Sequence, residues 1–451
     1  MNETAKQKWI LTLICLTAAI GGLLFGYDTG SISTSILLIK KELLLTTSEQ
    51  ELAIAMVPLG GILGAFFGGL LSDRKGRKKT ILAASVIFIV GTFCFSFSDS
   101  IYEIIICRFV IGIAAGIYLA IVPLYIAELA PAHMRGALVS INQFAITIGL
   151  LASYLVGDLF IKSNDWRMIF ILATIPAAFQ FIVMLFFPES PSWLVNHGKS
   201  KEALLILSRY RESKEAELEL LEIQKHKEKK GQVKQSHLKE FLGKPLRPIL
   251  IAGIGITIIQ QITGINAILY YAPTIFQFAG FASNQSAILA TTLLGSVNVL
   301  MTFLSIFLLD RVGRKPLLII GLSGMILSLL VLGIGFNSHD AIIGKISMIS
   351  LLVYIAFFAI SLGPIAWVLN SEIYPLHIRG SAIGLATCMN WFFNFLITVT
   401  FLDLTRALEK SGTFWLYAFI GILGLLFIIK KIPETKNKSL EEIEDYWKKN
   451  R

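Results

Sequence analysis

The sequence predicts an all-α membrane protein: twelve transmembrane helices in two six-helix bundles. Three observations carry that prediction. The 451 residues are 55% hydrophobic and only 16% charged, with a mean hydropathy of +0.71, more apolar surface than a soluble chain of this length covers. Twelve apolar runs approach or exceed the roughly 20 residues a helix needs to cross a bilayer. Three pairs of charged motifs recur, each displaced by six of those runs.

In chain order, the runs of the first half are 10–33, 52–71, 80–98, 104–127, 137–156 and 166–187. Those of the second half are 248–271, 286–309, 317–336, 343–369, 381–402 and 414–432. The first run is too long for a signal-peptide core and lacks a small-x-small cleavage site, so it reads as a retained helix. The expected units are a bundle over 1–187, a cytoplasmic linker over 188–247, a second bundle over 248–432 and a cytoplasmic tail over 433–451. The linker holds "KEALLILSRYRESKEAELELLEIQKHKEKK", where charges surround leucines at helical spacing, as in short amphipathic helices.

The repeat is specific. "DRKGRK" (73–78) follows span two and "DRVGRK" (310–315) follows span eight; "ELAPAHMRG" (128–136) follows span four and "EIYPLHIRG" (372–380) follows span ten. "PESP" (188–191) and "PETK" (433–436) close the two halves. Two related bundles suit alternating access, in which one half rocks against the other.

An even number of spans puts both termini on one side. Leaving out the central loop, 19 Lys and Arg lie on that side against 7 on the other, so the positive-inside rule makes it cytoplasmic. The net charge of +10 is thus a topology signal and does not point to nucleic acid. Cys15, Cys94, Cys107 and Cys388 are scattered through apolar segments and suggest neither disulfide nor metal. No nucleophile–base pair, metal cluster or G-x-x-x-x-G-K-[ST] loop appears, which argues against an enzyme, a cofactor or direct ATP drive.

Polar residues inside the spans mark the candidate site. "IIQQITGINAILYYAP" places Gln260, Gln261 and Asn266 around Gly264. Amides donate to and accept from hydroxyls without adding charge, and a helix broken at mid-depth is a recurrent substrate-site device. Three aromatics suit the apolar C–H faces of a sugar ring: Phe25, Trp367 after the "GP" of Gly363–Pro364, and Trp391. "LLFGYDTGSIS" sets Asp28 in a run otherwise free of charge, at a cost of about 3 kcal/mol for an ionised acid at that depth. By the helical rise, Asp28 and Arg108 of span four both fall in the outer half and form a plausible pair. Burial favours the neutral acid and the arginine favours the charged one, so a modest rearrangement switches protonation. A static ion pair that fixes helix packing is the alternative.

The paired motifs resemble the sugar porter family of the major facilitator superfamily, from "GGLLFGYDTG" to "PETKNKSLEEIE". Within it the chain is similar to bacterial xylose-type sugar–proton symporters and, less closely, to facilitative glucose transporters. The resemblance implies the major facilitator fold, a multi-pass plasma-membrane protein of bacterial type acting as a monomer, and a monosaccharide (xylose, glucose or galactose) as partner. It implies a sugar site of Phe25, Gln143, Gln260, Gln261, Asn266, Tyr270, Asn298, Trp367, Asn390 and Trp391. Proton symporters of the family carry Asp at position 28, which implies that Asp28, with Arg108, handles the coupled proton. Leu150 and Asn390 stand where xylose-type proteins carry Gln, so a hexose is as well supported as a pentose. A uniporter and a cyclitol–proton symporter stay open; a nutrient receptor is a remote alternative, because receptors of this kind need a longer output tail.

The charged motifs also suggest a cytoplasmic gate. Asp73, Arg74, Arg77, Glu128, Arg135 and Glu189 sit at helix ends in one half. Asp310, Arg311, Arg314, Glu372, Arg379 and Glu434 match them in the other. Arginine forks bind carboxylates well. Pairs made when the protein faces outward and broken when it opens inward would bias a two-state equilibrium; charge that only sets topology, with local helix capping, is the alternative.

Overall fold

A computed structural model describes residues 3–131, 135–210, 213–232, 246–337, 343–374, 378–436 and 442. Among them, twelve segments are long and apolar enough to span a membrane. In lipid a backbone must satisfy its own polar groups, so such apolar runs become helices. The first half comprises α1 (Glu3–Glu42), α2 (Thr47–Lys75), α3 (Arg77–Ser96), α4 (Ile101–Leu129), α5 (Arg135–Phe160) and α6 (Trp166–Phe186). The linker forms α7 (Pro191–Asn196), α8 (Ser200–Tyr210) and α9 (Ser213–Gln232). Leu194, Val195 and Ala203 bind these three into a small core of their own; the linker's residues 233–245 lie outside the described ones, as does most of the tail.

In the second half the seventh span is α10 (Arg247–Ile262) plus α11 (Ile265–Phe278), and the tenth is α14 (Ile343–Ile360) plus α15 (Leu362–Ile373). Around them run α12 (Asn284–Val312), α13 (Arg314–Asn337), α16 (Arg379–Ala407) and α17 (Glu409–Lys431). Polar caps set the starts at the end of the molecule away from the termini. Thr46 with Glu49, Ser100 with Glu103, and Ser283 with Ser286 form capping boxes for α2, α4 and α12, each satisfying amides a helix start leaves free.

Span one runs nine residues past its expected limit, from 33 to Glu42. Thr34 and Ser35, just past the expected limit, are buried, and the Thr34 hydroxyl donates back to Gly30 O at 3.1 Å. Hydroxyls that bond their own helix can stay inside a span. The membrane-length segment is Trp9–Glu42, so Asp28 lies 19 residues from one end and 14 from the other. It is nearer mid-depth than expected.

Within the first half, α2 packs on α4 and α1 on α5 closely enough that backbones meet. A Cβ at Gly112 would stand 2.3 Å from Val57 O, and one at Gly26 only 1.9 Å from Ile146 O. The halves meet along α2 with α16, α5 with α12, and α1 with α11. One core of buried apolar side chains runs through both.

Candidate substrate and proton site

The site starts from two broken spans. Gly264 adopts φ +91°, and a Cβ there would reach within 2.7 Å of the Tyr417 ring, so only glycine fits the turn. The Thr263 carbonyl left free at the break accepts from the Tyr354 hydroxyl at 2.9 Å. The second break falls at Ser361, whose hydroxyl donates to Phe357 O at 2.5 Å. That is two residues before the expected Gly363–Pro364.

The broken ends are tied by a chain of amides. Asn266 Nδ2 donates to Gln261 Oε1 at 2.5 Å, Gln261 Nε2 to Asn390 Oδ1 at 3.1 Å, and Asn390 Nδ2 to Gln260 Oε1 at 2.8 Å. Gln260 Nε2 then donates to Leu362 O at 2.9 Å and Gly363 O at 3.1 Å. Four side chains on α10, α11 and α16 thus form one linear network that ends on the carbonyls of α15. All four are buried. Each link can be exchanged for a hydroxyl partner, which donates and accepts as an amide does.

Trp391 follows Asn390 and meets Phe25 of the other half edge to face, with ring centroids 5.4 Å apart. The site is therefore shared between bundles. Tyr270 is fully buried on α11, and Asn298 is buried on α12. Gln143, Asn298 and Trp367 stand apart from the amide chain among the described contacts; Gln143 and Trp367 are half-buried.

Asp28 and Arg108 do pair. Arg108 Nη1 donates to Asp28 Oδ1 at 2.6 Å, with both side chains essentially fully buried. Arg108 Nε donates to Ala53 O at 3.2 Å, and its guanidinium lies 5.9 Å from the Phe95 ring. Asp28 Oδ2 and Arg108 Nη2 have no partner among the described residues, so the pair is held by one strong contact. Tyr270 stands on α11 one helical turn past Asn266, the terminal member of the amide chain, and its buried hydroxyl has no hydrogen-bond partner among the described residues.

The family model described as "Sugar (and other) transporter" matches residues 14–447. This chain belongs to that family. It is 39% identical to the D-xylose transporter of Levilactobacillus brevis, over 94% of this chain and 93% of the relative. It is 37% identical to the galactose-proton symporter of Escherichia coli, over 98% and 97%. Among solved structures it is similar to the proton:xylose symporter XylE bound to 6-bromo-6-deoxy-D-glucose, with a TM-score of 0.84 and 34% identity, covering 98% of this chain and 100% of that one. The protein is a sugar porter of the major facilitator superfamily, a multi-pass plasma-membrane transporter and not an enzyme.

The charged motifs of this sugar porter build the same device in each half. Glu189 Oε1 accepts from the N–H groups of Arg77 (2.9 Å) and Lys78 (3.1 Å), capping the start of α3. Glu434 accepts from those of Arg314 (3.1 Å) and Lys315 (3.0 Å), capping α13. The preceding Gly76 and Gly313 have φ of +101° and +102°, and a Cβ on either would strike the capping carboxylate. Glycine at the centre of both D-R-x-G-R-K motifs is thus needed twice over, for the turn and for the cap.

Beside each cap an arginine pairs with the carboxylate of the next motif. Arg77 reaches Glu128 with Nε at 3.0 Å and Nη2 at 3.1 Å, and Ser190 also donates to Glu128. Arg314 Nη2 reaches Glu372 at 2.8 Å, and Thr435 donates to the other oxygen at 2.6 Å. Asp73 accepts from Arg77 at 3.2 Å but is mostly exposed; Arg74 and Arg311 are exposed. The side chains of Arg135, Asp310 and Arg379 lie outside the described ones. The pairs described in this conformation are local to each half. Every described pair stays within one half, so the halves can separate here without breaking any of them.

Two further polar residues escaped the sequence reading. Asn394, one turn beyond Asn390, is buried and accepts from the Thr398 hydroxyl at 3.1 Å; its spacing after Asn390 was the available signal. Glu51 is 1% exposed on α2, yet it reads as an ordinary acid in a helix's first turns.

Proposed function

We propose that this sugar porter imports a monosaccharide together with a proton by alternating access, as a monomer with both termini in the cytoplasm. The observation that carries the reading is the buried Asp28–Arg108 pair. A carboxylate held by a single arginine contact can exchange that contact for a proton when water reaches it, and the amide chain of the other half suits a polyol. The proton:xylose symporter XylE and the galactose-proton symporter, both similar over nearly the whole chain, support coupling and a monosaccharide. With the termini inside, the cross-bundle bonds described below close the outer side, so this conformation faces the cytoplasm.

Uptake by purified protein in liposomes tests it, across xylose, glucose, galactose and myo-inositol, with and without an imposed pH gradient. Accumulation above the external concentration is expected for a monosaccharide only when the interior is alkaline. Uptake that merely equilibrates, whatever the gradient, replaces the symporter with a uniporter.

A further inference from the structure

Four hydrogen bonds seen between the two halves lie toward the end away from the termini. Tyr154 of α5 donates to Leu269 O of α11 at 3.2 Å, and Arg406 of α16 donates to the Thr47 hydroxyl of α2. The remaining two meet on one atom. The backbone N–H groups of Leu402 (2.6 Å) and Asp403 (3.1 Å) on α16 both donate to Glu51 Oε1 on α2.

The arrangement around Glu51 is more than a surface contact. Its carboxylate is buried, and it is the only described acid whose oxygens bridge the halves. The carbonyl four residues before Leu402, Thr398 O, accepts from the Tyr271 hydroxyl of α11 at 3.0 Å. One rung of α16 therefore has both its groups engaged from outside, the N–H by Glu51 and the carbonyl by Tyr271. The other charges at this point are Asp403 and Arg406 of α16, both largely exposed.

We propose that Glu51 is a positioning residue for transport: its carboxylate latches α2 to this buried rung of α16 and holds this end of the molecule shut. Opening the end pulls Glu51 off two N–H donors and returns them to the helix or to water. Hydrogen bonds to a charged acceptor exceed those between neutral groups, so the latch biases the two-state equilibrium toward the closed form. The proposal rests on the alternating-access reading and not on proton coupling.

The test places spin labels at Leu44 and Leu408, both exposed and in opposite halves at this end, in a background free of native cysteine. Double electron–electron resonance at one pH, without sugar, reads the closed and open populations. Glu51→Leu, which removes the acceptor, should raise the open-to-closed ratio by roughly tenfold, the factor that one charged hydrogen bond supplies. Glu51→Asp keeps the charge but retracts it and should open the end to a smaller extent. Glu51→Gln keeps an acceptor at full reach but loses the charge, so it should open the end less than Glu51→Leu does. Parental distance distributions in both the Leu and Asp variants overturn the proposal; should the Leu variant not fold, the Asp variant alone decides. Because no proton gradient enters the measurement, a protein without proton coupling leaves this result standing.

Discussion

Asp28 carries the chemical argument at the scale of single residues. Asp28→Asn keeps the shape of the side chain and removes its ability to lose a proton. Concentrative uptake should vanish, while sugar binding and counterflow persist, because neither needs net proton movement. Arg108 then lacks its charge partner with its side chain fully buried, and breaking such a pair costs about 3–5 kcal/mol, so the thermal midpoint should fall as well. Gradient-driven accumulation by a folded Asp28→Asn protein would return the pair to a purely structural role. The amide chain supports a second prediction. Gln261 is an internal link and Asn266 the terminal one, so Gln261→Ala strands two partners and Asn266→Ala one. Both should weaken sugar affinity, each lost bond counting about 0.5–1.5 kcal/mol, with Gln261→Ala the weaker binder in a calorimetric titration. Equal, parental affinities in both would move the site off this chain. Asp28 was legible because a charge in an apolar run has few explanations. Glu51 was not, because an acid five residues past a threonine cap looks solvated until the second bundle is placed on it.

Helix ends supply the argument at the scale of elements. Hydropathy alone located twelve spans, since lipid leaves an apolar run no other structure. The break at Gly264 was legible from its flanking amides, and the one at Ser361 falls two residues before Gly363–Pro364 because Pro364 has no N–H for the carbonyl of Ile360, one turn back. For the P-E-S/T carboxylates the fold shows the capping alternative at work. Read by charge, Glu189 and Glu434 are partners for arginine side chains; in the fold, backbone amides of α3 and α13 take them first. Burial pushes the Glu434 carboxyl up, but N–H groups of Lys436, Arg314, Lys315 and Thr435 outweigh it and hold it below the usual 4.5. A carboxylate depressed on folding stabilises fully above its unfolded value and ceases to do so as pH falls through the folded one. Glu434→Gln should therefore lower the thermal midpoint at neutral pH, in line with about 0.3–1 kcal/mol for a charge at a helix start. The gap from the parent should close below pH 4.5. A gap that is unchanged in acid would mean that the carboxyl's charge is not what caps α13.

At the scale of the whole molecule, the two ends are built differently. Near the termini, ion pairs and caps stiffen each half separately; at the far end, hydrogen bonds from α2 and α5 fasten one half to the other. A rigid-body rocking cycle needs that asymmetry, because stiff halves transmit motion and only the shared contacts have to be made and broken. The far end must then open once per cycle. Cysteines at Thr47 and Arg406, whose side chains touch in this structure, can be joined by a short bifunctional methanethiosulfonate in a background without native thiols. Uptake into liposomes should fall below about a tenth of the unlinked protein, a drop equivalent to roughly 1.4 kcal/mol or more on the opening step. Sugar binding to the linked protein in detergent should remain, because the site stays reachable from the end that bears the termini. Cleaving the linker with a thiol reductant should restore transport. Full uptake by protein shown to be linked would mean that sugar passes without α2 and α16 ever parting, and the alternating-access account of these two bundles would have to be abandoned.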